Sequence, residues 1–136
     1  MERGNIHITG GNIEELLPIL ITKGECASNY KADNVIVLMS EVYYTRIKSN
    51  LLSMYIVNII NDKEVKIELV TGGGKDGLDV SWGAEKAENI KKVNMITDIC
   101  NENSWKIVKI SPKEFEMDIE KYNAKTFLNS IKNMFR

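Results

Sequence analysis

The chain has 136 residues, with 18 Lys and Arg, 19 Asp and Glu, one His and a formal net charge of −1. Its 43% apolar and 27% charged residues lie close to globular averages of roughly 45–50% and 25%, which excludes wholesale disorder, and Gly 9 and Pro 2 exclude a fibrous chain. The length points to a single α+β domain over 1–136, and near-neutral charge argues against nonspecific nucleic-acid binding, which depends on a dense basic surface.

Along the chain, Arg3 to Thr9 alternates, with Ile6 and Ile8 on one face and Asn5, His7 and Thr9 on the other, the pattern of a half-buried strand. Gly10-Gly11 breaks it. Asn12 and Glu15 have the spacing of a capping box, and Ile13, Leu16, Leu17 and Leu20 follow at helical intervals. That helix is expected to stop at Lys23-Gly24, with Pro18 kinking it or making its first half irregular. The polar stretch Cys26 to Asn34 reads as a loop.

Three strands are predicted next: Val35 to Arg46, Leu51 to Ile60 and Glu64 to Val70. Their links, near Lys48-Ser49-Asn50 and at Asn61-Asp62, are short enough to require an antiparallel meander. The middle strand is apolar on both faces, with Leu52, Met54 and Ile56 on one and Tyr55, Val57 and Ile59 on the other. Both faces are therefore expected to be covered, by helices or by a partner subunit. After the turn Thr71 to Gly77 come a short strand Leu78-Asp79-Val80 and a helix from Ala84 to about Asn101. Its core stripe is expected at Ala87, Ile90, Val93, Thr97 and Cys100, flanked by Ile96 and Ile99, with Glu88 and Lys92 as an i,i+4 pair on the outer face. Trp105 to Ile110 alternates as a strand, and Tyr122 to Phe135 forms a last amphipathic helix with Phe127, Leu128, Ile131 and Phe135 inward. The order β-α-β-β-β-(β)-α-β-α predicts a two-layer α+β sandwich: a meander sheet with helices on one face.

Common catalytic constellations are poorly supplied. Nucleophilic catalysis of the Ser/His/Asp or Cys/His type needs a base beside the nucleophile. His7 is the single His and falls on the outer face of the first strand, so only a three-dimensional approach to Cys26 would provide one. One His and two separated cysteines cannot make an ordinary zinc site, and Asp76 and Asp79 lack the repeated ligands of a calcium loop. The cluster Gly72-Gly73-Gly74-Lys75-Asp76-Gly77 has neither the Ser or Thr nor the following helix of a phosphate loop, so it reads as a bend needing positive φ. No catalytic residue, metal or cofactor is assigned.

The first residues, Met1-Glu2-Arg3-Gly4-Asn5, do not resemble a signal peptide, and the longest apolar run, Leu16 to Ile21, is too short to span a bilayer. A cytoplasmic protein with Cys26 and Cys100 as free thiols is expected. Charge is uneven, since Ser104 to Arg136 carries seven basic residues against four acidic. A basic final helix could meet an acidic partner or nucleic acid, although a solvated helix face explains it more simply.

Tyr43, Tyr44 and Tyr55, with Arg46 near, could line a pocket or an oligomer surface, and adjacent Tyr43 and Tyr44 must point to opposite faces. From Tyr43 through Glu85 the chain resembles a small family of uncharacterised bacterial proteins classed as a domain of unknown function. The resemblance lies in Tyr44-Thr45, the strand Leu51 to Ile60, Val70-Thr71-Gly72-Gly73, and Trp82-Gly83-x-Glu85 opening the helix. It implies a compact α+β fold and no catalytic residue. Gly72 and Gly73 would make the turn, Trp82 would anchor the core, and Glu85 would sit favourably in the first helical turn. The candidate contact surface is thus Tyr43, Tyr44, Arg46, Tyr55, Gly72, Gly73, Trp82 and Glu85. The leading expectation is a non-enzymatic domain that binds a protein or small ligand as a homo-oligomer. Two others remain: a small enzyme with a helix–sheet pocket near Gly72–Gly77, and nucleic-acid binding through the last helix.

Overall fold

The computed structural model describes residues 2–44, 49–73 and 84–111, and within them the side chains of all but Tyr44, Ser49 and Ala84. The architecture is the expected one, an antiparallel sheet with helices on one face. Six strands, β1 (Glu2–Thr9), β2 (Ser28–Ala32), β3 (Val35–Tyr44), β4 (Ser49–Asn61), β5 (Glu64–Gly73) and β6 (Lys106–Ser111), lie in the order β2-β3-β4-β5-β1-β6. Helices α1 (Leu16–Lys23) and α2 (Ala84–Glu102) supply the second layer. The expected strand at Leu78–Val80 and the expected helix Tyr122–Phe135 lie outside the described residues.

β1 alternates as its sequence does, with Ile6 and Ile8 buried against the helices. The capping box does not form. Asn12 takes a left-handed backbone, φ 55°, which Asn tolerates better than most residues, and its carbonyl rather than its side chain accepts the Glu15 N–H at 3.0 Å. A 3-10 turn, Ile13–Glu15, then leads into α1. Pro18 is the third residue of α1, where amides have no intrahelical acceptor, so its missing N–H breaks no helical bond and the irregularity falls in the turn before it.

α1 ends in a Schellman motif centred one residue later than expected. Gly24 remains right-handed at φ −80°, and Glu25 takes the left-handed position at φ 50°. The Cys26 N–H donates to the Ile21 carbonyl and the Glu25 N–H to that of Thr22. Glycine at position 24 answers to space instead: a Cβ there would stand 2.6 Å from the Leu20 carbonyl oxygen and 3.3 Å from the Tyr55 hydroxyl.

The stretch expected to be a loop after Cys26 contains β2, an edge strand paired with β3 from Ser28↔Met39 to Ala32↔Val35. All five of its residues are exposed, so backbone bonding holds it and no apolar alternation announces it. β3, β4 and β5 form the expected meander, with Ser49 and Asn50 already in β4 and the connection 45–48 outside the described residues. Asn61 closes the β4–β5 turn by accepting the Lys63 N–H on its Oδ1 at 2.8 Å.

The core lies between the inner sheet face and the two helices. Leu38, Tyr55, Val57, Ile67 and Leu69 meet Leu16 and Leu20 of α1 and Val93, Ile96, Ile99 and Cys100 of α2. Trp105 closes one end, donating its indole N–H to the Gly11 carbonyl at 2.7 Å. No described helix is long and apolar enough to cross a membrane.

Candidate functional site

Strand register arranges the inner face in rows. Leu38, Tyr55 and Leu69 stand side by side, and the next row is Ser40, Ser53 and Thr71, all three buried. Small hydroxyls at core-facing strand positions require partners. α2 meets this row with Asn89, which accepts from Thr71, and carries Glu88 and Lys92 buried on the same side, which corrects the expectation that these two form an outer-face pair. Glu88 is fully buried, Lys92 is 7% exposed, and their charged groups are 3.2 Å apart. Ala87 is exposed and Ile90 half-buried, so the buried stripe over the first turns of the helix is 88, 89, 92 and 93. The aliphatic stem of Lys92 can lie against apolar neighbours while its head meets the carboxylate.

The hydrogen bonds of this layer have one consistent direction. Thr71 donates to Asn89 Oδ1 through a short bond, so its oxygen accepts from Ser53 across 3.0 Å. Asn89 keeps its Nδ2 group for donation, and that nitrogen has no partner. The buried Ser40 and Tyr55 hydroxyls face each other as a hydrogen-bonding pair. The Tyr55 oxygen and the Cys26 sulfur each stand 3.3 Å from where a Gly24 Cβ would be. Burial, with Cys26 nearby, pushes the Tyr55 phenol up, the facing Ser40 hydroxyl opposing that shift. Burial also raises the Cys26 thiol, and the Lys92 ammonium draws back part of the rise. These groups make one polar layer: Asn89, Thr71 and Ser53, then Ser40 and Tyr55, with Cys26, Lys92 and Glu88 beside them. An unpaired buried polar group costs about 1–3 kcal/mol, so the Asn89 Nδ2 group carries a local penalty.

The outer face is divided. Its β2–β3–β4 half presents Tyr30, Val37 and Ile56 in one row, Met39 and Met54 in the next, then Leu52 opposite the exposed Glu41, and Tyr43 opposite Asn50. Tyr30 is 64% exposed, Tyr43 59% and Leu52 45%. The β5–β1–β6 half is charged. There Arg3 lies 3.7 Å from Glu68, and His7 Nε2 lies 3.1 Å from Glu64. His7 and Cys26 thus lie on opposite sides of the sheet, and a Cys–His pair does not form.

Sequence-predicted site residues are scattered across these surfaces. Tyr43 lies on the exposed outer face, whereas Tyr55 points inward and is fully buried, so it belongs to the core and not to a contact surface. Its phase in β4 sets it on the Leu51, Ser53 and Val57 side of the pleat. Gly72 stands opposite Leu52, and Gly73 has φ 123°, with a Cβ there 2.7 Å from the Asn50 carbonyl oxygen, so glycine is required at this end of β5. Glu85 lies in the first turn of α2. The backbone of Tyr44 ends β3, while Arg46, Trp82 and residues 74–80 are outside the described residues. Sequence reasoning missed Ser40, Ser53, Thr71 and Asn89. The available signal was a polar residue at the inward phase of three consecutive strands. No family model, curated protein or solved structure matches this chain.

Proposed function

We propose that the chain is a non-enzymatic cytoplasmic binding domain that works as a homo-oligomer, the apolar half of its outer sheet face meeting the same half of a second copy. The carrying observation is the exposure of Tyr30, Tyr43 and Leu52 beside Met39, Met54 and Ile56, on the face opposite the helices. Clustered exposed apolar surface is the mark of a contact site, and aromatic and methionine side chains are enriched in such sites; Glu41, opposite Leu52, is a charge within this cluster. A two-fold arrangement suits it, because an isologous contact covers each apolar half with its equivalent and leaves the polar half, with Arg3 beside Glu68 and His7 beside Glu64, in water. The free thiols Cys26 and Cys100 agree with a reducing compartment. Separation of His7 from Cys26, and a Cys26 thiol raised by burial, weigh against nucleophilic catalysis.

Light scattering on the purified protein at high micromolar concentration tests this reading. A dimer mass that falls to the monomer mass in a folded Leu52→Glu variant supports it. A clean wild-type monomer refutes it.

A further inference from the structure

The polar half of the outer sheet face carries a basic row whose charges are not balanced within the sheet. Register sets Lys66 of β5, His7 of β1 and Lys109 of β6 side by side, with Asn58 of β4 continuing the row beyond Lys66. No carboxylate stands in it. The acids of the flanking rows are engaged elsewhere, Glu64 at 3.1 Å from His7 and Glu68 at 3.7 Å from Arg3. Among the described residues neither Lys66 nor Lys109 is in an ion pair, and both are exposed. On this half-face Arg3, Lys66, Lys106 and Lys109 stand against Glu64 and Glu68 alone, so positive charge is in excess.

The same row borders a hollow. Asn5, His7, Lys66, Lys109 and Ser111, with Ile6 between them, line a cavity of about 320 Å³. Small-molecule sites span roughly 300–1,000 Å³, so this one suits a small ligand. It lies beside the register shift between His7 and Ile8, which leaves Val108 unpaired as a bulge next to Lys109. A bulge bends its strand and re-aims the side chains around it.

We propose that this hollow binds a phosphate group, free or as the monoester of a small alcohol, between the ammonium groups of Lys66 and Lys109. Two strand spacings of about 4.8 Å each separate their backbones, so long side chains from both sides can close on one anion above His7. Two point charges match the two negative charges of a phosphate dianion. Asn5 and Ser111, paired across β1 and β6 in the adjoining row, add an amide and a hydroxyl donor. A tetrahedral group offers oxygens in the directions of all four side chains; a carboxylate, with two oxygens in one plane, does not. The proposed dimer leaves this half of the sheet in water, so the hollow is open in monomer and dimer alike.

Backbone amide shifts in nitrogen-15 NMR spectra test the site during additions of sodium phosphate or glycerol 3-phosphate. Ionic strength is held constant with sodium chloride at about pH 7.5, where a phosphate monoester is dianionic. Saturable shifts confined to the amides near positions 5–7, 66 and 109–111 are expected. Lys66→Gln and Lys109→Gln, at exposed positions that leave the fold intact, should each weaken binding roughly tenfold, whereas Lys106→Gln, one row outside the hollow, should change it less than about twofold. Tighter saturation by glycerol 3-phosphate supports the site with a monoester as its ligand, and tighter saturation by inorganic phosphate supports it with the free ion. The proposal is overturned if the shifts are absent, unsaturable or spread over the surface, or if Lys66→Gln and Lys109→Gln bind as wild type does. It is also overturned if Lys106→Gln weakens binding as much as they do, because a diffuse positive surface would then hold the anion.

Discussion

Gly10 shows how closely a single residue is constrained. A Cβ there would fall 2.3 Å from Cδ1 of Trp105, whose indole holds the Gly11 carbonyl across 94 residues of sequence. Gly10→Ala is expected to cost about 2 kcal/mol, in the range of overpacked interiors, with urea denaturation as the check. A loss below about 0.5 kcal/mol would mean that the indole moves aside freely. Cys100 sets a second expectation. Burial pushes its thiol up from 9.0 to about 12, so the folded state retains a proton that the unfolded chain releases above pH 9. Stability from this group is therefore intact below pH 9 and declines as pH rises towards 12, by up to about 1.4 kcal/mol per unit within that window. Tyr55, raised from 10.0, steepens the decline above pH 10. Cys100→Ala should flatten the curve between pH 9 and 10.5 in denaturation series; an unchanged slope would contradict this. Glycine spacing pointed to the Gly10-Gly11 break, but the indole contact that makes position 10 intolerant joins residues too far apart for local pattern to show.

At the scale of elements, strand phase was legible, and so was helix phase in α1 and from Val93 to Cys100 of α2, but not in the first turns of α2. β1, β3, β4 and β5 carry enough β-branched and aliphatic residues at alternate positions for their pairing and inward faces to follow from the order of residues. β2 escaped because Ser28-Asn29-Tyr30-Lys31-Ala32 buries nothing and is held by backbone bonding alone. In α2, Ala87 and Ile90 suggested a stripe, and a Glu–Lys pair four apart is normally solvated. The hydroxyl row on the sheet reverses that, because Ser53 and Thr71 need polar partners from the helix and Asn89 brings Glu88 and Lys92 inward with it. Lys92→Met should therefore be severe, about 3 kcal/mol, since it leaves the Glu88 carboxylate buried without its ammonium. The double variant Glu88→Leu/Lys92→Met should lie closer to wild type than the sum of the two single losses. Additive losses in chemical denaturation would place the pair in solvent after all.

For the molecule as a whole, the two faces of the sheet serve different ends. The inner face carries the core and the polar layer; the outer face is largely apolar over β2, β3 and β4, with Glu41 within it, and over β5 and β1 it pairs Arg3 with Glu68 and His7 with Glu64. The two-sided apolar character of Leu51 to Ile60 was visible in the sequence, and the helices account for one side only. The polar layer was not visible, since its members come from α2 and three strands plus the turn after α1, and only register brings them together. The central claim, that a second copy covers Tyr43, Leu52 and Met54, is tested most directly by intermolecular NOEs in a mixture of isotopically labelled and unlabelled chains. Cross-peaks between the Leu52 and Met54 methyls of one chain and the Tyr43 or Tyr30 ring of another are expected. Absence of intermolecular cross-peaks from these methyls at high micromolar concentration, or their appearance only from β6 or the helices, would contradict it.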